Sequence, residues 1–256
     1  MEMNYEDYCR HADQMVEEKF ICTAAGELGP LGKFHKREDG AWEPVPYAGY
    51  SIITPTFLED RANASFYQAL CPMQAAFRHM ISSVEVVEAP LGALHMTVAR
   101  LISGDVFVRR LKDSREEELL LALNRLFSAR MSTGPLMYQV KGWSFFPQGV
   151  LAAVVSPLTR ADFGPLLAFR DGVYADKALC DLGVERKRGF DGHISLYYIE
   201  EHLPPAQKKI LADAVREINK KFFAHPLPFH VTRAEVRRFH DFTGYCRSAA
   251  WPAYVF

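Results

Sequence analysis

Apolar residues change their spacing several times along this 256-residue chain, and each change marks an element. From Tyr50 the β-branched run Ile52-Ile53-Thr54 predicts a short strand. Phe66, Leu70, Met73, Phe77 and Met80 then recur at the spacing of one helix face, with Ser65 as N-cap. The segment Val84-Glu85-Val86-Val87, a turn at Pro90 and Gly92, and a strand over residues 94–99 follow. A long helix over residues 114–129 carries Glu116, Glu117 and Glu118 in its first turn, where the helix dipole favours carboxylates. Gly134-Pro135 ends that unit, and a hairpin comes next: residues 137–146 and 150–155 around Pro147-Gln148-Gly149. The second half repeats the order, with a helix at 162–179, a strand at 193–198, a helix at 205–222 and a closing strand region at 229–239.

No point-by-point repeat relates the halves, yet they share a layout in which a glycine-led strand opens with histidine and runs into a helix. That layout predicts an α+β chain built by duplicating a small lobe. Residues 1–45 read differently, as an N-terminal extension. An acidic amphipathic start between Tyr5 and Phe20 gives way to Gly26, Gly29, Pro30 and Gly32, the punctuation of loop and not of core. Residues 46–256 are then the main domain.

Composition narrows the class. With 49% apolar and 24% charged residues the chain has the profile of an ordered globular domain. A formal charge of −1 supplies no global field to hold a long polyanion by counterion release, so a small phosphorylated substrate fits better than duplex nucleic acid. Two local basic groups, Arg186-Lys187-Arg188 and Arg233 with Arg237 and Arg238, are within the repertoire of phosphate ligands but read as solvated surface. Five scattered cysteines without a Cys-x-x-Cys pair argue against a disulfide frame or zinc site and for a reducing compartment. The first residues lack a basic start and an apolar stretch, and no run reaches the roughly 18 apolar residues of a membrane span. The expectation is a cytoplasmic monomer with no membrane contact and no obligate protein partner.

Chemistry concentrates in two short segments, His95-Met96-Thr97-Val98 and His193-Ile194-Ser195-Leu196. Side chains alternate along a strand, so His95 and Thr97 share one face, as do His193, Ser195 and Tyr197. Displacement at phosphorus needs a base for the attacking hydroxyl and an acid for the departing oxygen on opposite sides, and imidazole serves either purpose near neutral pH. The hydroxyls of Thr97 and Ser195 would donate to the non-bridging oxygens. Tyr197, Trp143, Phe145 and Phe146 are candidates for stacking a base, against the plainer alternative of sheet packing. Alternation turns Arg100 away from His95, which makes it structural. A third match, His230-Val231-Thr232-Arg233, carries a charge at its last position and no preceding glycine, and is read as structural. Metal-ligand spacings, a Gly-x-Ser-x-Gly elbow and phosphate-binding glycine loops are all lacking, so neither metal nor cofactor is expected.

The two His-x-Thr/Ser-x segments resemble the paired motifs of the 2H phosphoesterase superfamily, which includes RNA 2',3'-cyclic phosphodiesterases and 2'-5' RNA ligase-like proteins. The resemblance spans roughly residues 48–256, and the stretch from Gly32 to Ile53 is similar, more loosely, to the lead-in of an uncharacterised branch. It implies a bilobal α+β fold with two antiparallel-rich sheets facing a central groove and helices outside. It also implies metal-independent catalysis by His95 and His193, with phosphate held by Thr97 and Ser195. The substrate would be a nucleotide or short oligonucleotide phosphodiester beside a ribose hydroxyl: a 2',3'-cyclic phosphate, a 2'-5' or 3'-5' linkage, or a cyclic nucleotide signal. A non-catalytic module that sequesters nucleotides or RNA ends in the same groove is the alternative.

Overall fold

The computed structural model describes residues 2–111 and 115–256. In chain order the elements are α1 (Tyr5–Met15), α2 (Glu18–Gly26), β1 (Phe34–Lys36), β2 (Trp42–Pro44), β3 (Gly49–Ile53), α3 (Ala64–Met80), β4 (Val87–Glu88), β5 (Thr97–Ser103) and α4 (Gly104–Arg110). They continue with α5 (Glu116–Ser128), β6 (Leu136–Phe146), β7 (Val150–Pro157), α6 (Arg160–Ala175), α7 (Lys177–Asp181), β8 (His193–Tyr198), α8 (Pro205–Phe222), β9 (Leu227–Val231), β10 (Arg233–Phe239) and β11 (Ala253–Val255). The expected start of the long helix at Ser114 lies outside the described residues. Ser65 is inside α3 and not its cap, since Asn63 takes that position. The helix expected over 162–179 is two, because Asp176 leaves the helical conformation and its carboxylate accepts from Leu179 N–H as the cap of α7.

The fold is α+β with antiparallel sheets. One sheet has the order β11-β10-β3-β5 and the other β4-β8-β7-β6-β9, with β1 and β2 forming a separate ribbon. The closing strand region is therefore two strands in different sheets, β9 in the second and β10 in the first. The halves correspond: β3-α3-β5 and β7-α6-β8 each run strand, helix, motif strand, and β5-β3-β10 matches β8-β7-β6 in order.

Each half is closed in part by a helix of the other. Helix α3 leaves the four-stranded sheet and packs on the five-stranded one, placing Phe66 against Phe229 and Phe77 against Trp143 and Tyr197. In the other direction α6, which packs on β6 and β7 of the five-stranded sheet, also reaches β5 and sets Phe169 against Tyr254 of the four-stranded one, with ring centroids 4.9 Å apart. The sheets also meet edge to edge through an antiparallel bridge between Met96 and Ile194. Their apolar residues form one continuous core.

Residues 1–45 are not an extension set apart from that core. Tyr8, Ala12 and Met15 of α1 and Ile21 and Ala25 of α2 are buried, and the two helices pack against β6, β7 and α8. The glycines and prolines that suggested loop begin only at Gly26, the last residue of α2; the helical period before them was the signal. The Tyr8 hydroxyl donates to Val155 O and accepts from Gly192 N–H, both at 2.8 Å. Gly192 permits this approach, because a Cβ there would lie 2.9 Å from the Tyr8 hydroxyl and 3.0 Å from Val155 O. Gly92 has no such neighbour, so the glycine before the first motif answers no close contact.

Tyr8→Phe removes the partner of two buried backbone groups, and the expected cost is about 1–3 kcal/mol of unfolding free energy. Urea unfolding of the two proteins measures it. A change within error would show that water replaces the hydroxyl at no cost.

Candidate active site

His95 lies just before β5 and His193 opens β8. The bridge between Met96 and Ile194 is antiparallel, so His95 is set against Ser195 and Thr97 against His193. Each imidazole is anchored in the same way. Nδ1 of His95 is 2.7 Å from Ala93 O, and Nδ1 of His193 is 2.7 Å from Asp191 O. A carbonyl only accepts, so Nδ1 carries the proton in both rings and Nε2 holds the free lone pair. Nε2 of His95 is 3.3 Å from the Thr97 hydroxyl. Tyr245 closes on His95 edge-on, with ring centroids 4.2 Å apart, and Phe146 lies against His193 at 4.4 Å.

Both motif strands carry a bulge at the same place. Against β3, Ile52 faces Ala99 and Ile53 faces Thr97, which leaves Val98 as an extra residue. Against β7, Leu151 faces Tyr197 and Ala152 faces Ser195, which leaves Leu196 as the extra one. Val98 and Leu196 are the fourth residues of the two motifs. An extra residue shifts the alternation by one, and this corrects two expectations. Arg100, expected to point away, comes to the face of His95 and Thr97 and lines the groove. Tyr198, not Tyr197, comes to the face of His193 and Ser195, also lining the groove. Tyr197 is buried against Phe77 and Trp143.

Trp143 and Phe145 are also fully buried, so neither presents a stacking face. Phe146, the next residue, lines the groove beside His193. His230 sits on β9, where its backbone N–H donates to Asn63 and its ring faces Ala62 O; it does not line the groove. Arg237, read as solvated, is buried in an ion-pair cluster with Glu235 and Glu59. Lys33 lines the groove from within the supposed extension, and Arg188 lines it from the loop before His193. Neither follows from spacing, since both stand in stretches without strand or helix period.

The groove is cationic. The ammonium of Lys33 sits over the rings of Tyr198 and Phe242 at 4.4 and 4.0 Å. Burial, and then the neighbouring Arg100, lower its pKa to about 7. Burial is also the main cause for the histidines, with the carbonyl bonds opposing it and Arg and Lys charges adding to it. His95 is lowered to about 4 and His193 to about 3. Both histidines are half-buried and line the groove, so a bound anion would act on them directly and raise these values. Among the described residues, no group of three His, Cys, Asp or Glu side chains is placed to hold a metal ion, and no helix is long and apolar enough to cross a membrane.

No protein-family model and no curated protein matches this chain. A crystal structure of a conserved protein of unknown function from Agrobacterium tumefaciens matches with a TM-score of 0.54 at 16% identity, covering 80% of this chain and 86% of that one. The chain shares that protein's fold. Two further crystal structures show weaker likeness. A Thermus thermophilus protein gives a TM-score of 0.43 at 17% identity over 74% of this chain and 87% of its own. LigT of Escherichia coli, complexed with ATP, gives 0.39 at 12% identity over 76% and 88%.

The depressed imidazoles have a consequence for stability. Between the ordinary histidine pKa of about 6.5 and the native values of about 4 and about 3, the unfolded chain binds protons that the native one does not. Stability therefore rises with pH through that window and is lost as pH falls through it. Urea midpoints from pH 4.5 to 7 should show a steeper slope for the wild type than for the His95→Gln, His193→Gln double variant. Equal slopes would refute the depression.

Proposed function

We propose that this chain is a phosphodiesterase of the two-histidine type. Its substrate is a nucleotide or short oligonucleotide phosphodiester adjacent to a ribose hydroxyl. One observation carries this reading: two imidazoles with identically fixed tautomers face the same groove, each in a strand with a hydroxyl two residues on. The resemblance of the two motifs to those of the 2H phosphoesterases supports it, and so does the groove's positive charge.

With a 2',3'-cyclic phosphate, one Nε2 takes a proton from water as the water oxygen bonds to phosphorus. The bond from phosphorus to one ribose oxygen breaks, and the other imidazole, protonated at Nε2, delivers its proton to that oxygen. The Thr97 and Ser195 hydroxyls donate to the non-bridging oxygens, where charge accumulates. Burial keeps both imidazoles neutral at pH 7. The substrate's own negative charge raises one of them toward protonation, so the acid is prepared by the substrate it serves.

The test is turnover of 2',3'-cyclic mononucleotides, 2'-5' oligoadenylates and cyclic dinucleotides with EDTA present. Replacing either His95 or His193 by alanine should lower kcat by about 10²-fold or more and leave the circular dichroism spectrum unchanged. Turnover that survives in both single variants would overturn the assignment. Tight binding without turnover in the wild type would favour the sequestering module.

A further inference from the structure

We infer that the substrate carries two phosphoryl groups: the phosphodiester between the histidines and a second phosphate, held by Arg100 and Arg188. This deepens the phosphodiesterase reading by naming the substrate class, and it rests on that reading for the first group.

The groove continues into an adjoining cavity, and Thr97, His193, Arg100 and Arg188 line both. The two arginines differ from the others around them. Arg170 and Arg186 are committed to Glu2, Arg237 to Glu59 and Glu235, and Arg238 to Glu116. Among the described residues, neither Arg100 nor Arg188 has a carboxylate within ion-pair distance, and neither guanidinium donates to another protein group. Arg188 is nevertheless the strongest charge acting on Arg100, and its repulsion adds to burial in lowering the Arg100 pKa. Of the acids at this cavity, Glu185 lies 3.6 Å from Lys187, and Asp191 is pushed toward its neutral form by burial.

Two adjacent guanidiniums left without an anion repel each other, a cost that a ligand of opposite charge relieves. A phosphodiester brings one negative charge, already addressed by two histidines, two hydroxyls and Lys33. A terminal phosphate brings about −1.5 to −2 near pH 7 and three acceptor oxygens, which suits the paired forks of two arginines. The pair is also held in place. The bulge at Val98 sets Arg100, and the backbone of the Arg188 loop is tied down by Arg170, which donates to Arg188 O, and by Glu2, which accepts from Phe190 N–H.

The experiment compares adenosine 2',3'-cyclic phosphate with the same nucleotide carrying a 5'-phosphate. The wild type should favour the 5'-phosphorylated substrate by about tenfold to a hundredfold in kcat/KM. That ratio should fall toward one in Arg100→Met and Arg188→Met, with part of it kept in Arg188→Lys. Turnover of both at equal kcat/KM by the wild type would overturn the second-phosphate site and leave the phosphodiesterase reading standing. If neither is turned over, that reading fails, and calorimetric binding of the same pair decides the inference. Tighter binding of the 5'-phosphorylated nucleotide, lost in Arg188→Met, supports it; equal affinities or no binding of either overturn it. The wild-type ratio is independent of whether any variant folds.

Discussion

The antiparallel bridge between Met96 and Ile194 joins the two sheets edge to edge, and the placement of His95 and Thr97 against Ser195 and His193 follows from it. Because the two motif strands run in opposite directions past that point, each histidine meets the other strand's hydroxyl. The backbone around the junction is pinned from outside. Arg170, nearly fully buried on α6, donates to Val98 O of the first motif and to Arg188 O in the loop that leads into the second. Glu2 and Tyr8 hold the same loop at Phe190 and Gly192. Buried groups of this kind are costly unless fully partnered, and here the partners belong to the first motif and to the loop before the second.

Helices α3 and α6 both reach across from their own half to the other. Helix α3 packs on the sheet of the other half and α6 on both sheets, so the lobes share one apolar core. The N-terminal helices add the remaining cover over β6 and β7. A segment that supplies Tyr8 to the core and Lys33 to the groove belongs to both fold and site.

Electrostatically, the chain is nearly neutral as a whole and cationic where the histidines sit. Local cations in a partly enclosed groove raise the concentration of a small anion without attracting long polyanions to the whole surface. Burial, with the same cations adding to it, lowers the proton affinity of both imidazoles. Charge placement and proton affinity are thus two results of one arrangement.

How much of this was legible varies with the range of the forces involved. Local period and composition sufficed for the α+β class, the hairpin at residues 137–155, the helix over 205–222 and the two His-x-Thr/Ser-x segments as candidate chemistry, because spacing and turn residues act over a few positions. Tertiary structure decided which residues share the groove. Two bulges, invisible in the alternation of apolar and polar residues, replaced Ala99 with Arg100 and Tyr197 with Tyr198 on the site face. Loop packing placed Arg188 and Tyr245 there, and helix packing drew the stretch from Tyr8 to Leu28 into the core. A bulge is set by what the neighbouring strand offers and a loop by what it packs against, and neither is written in the local period of the chain.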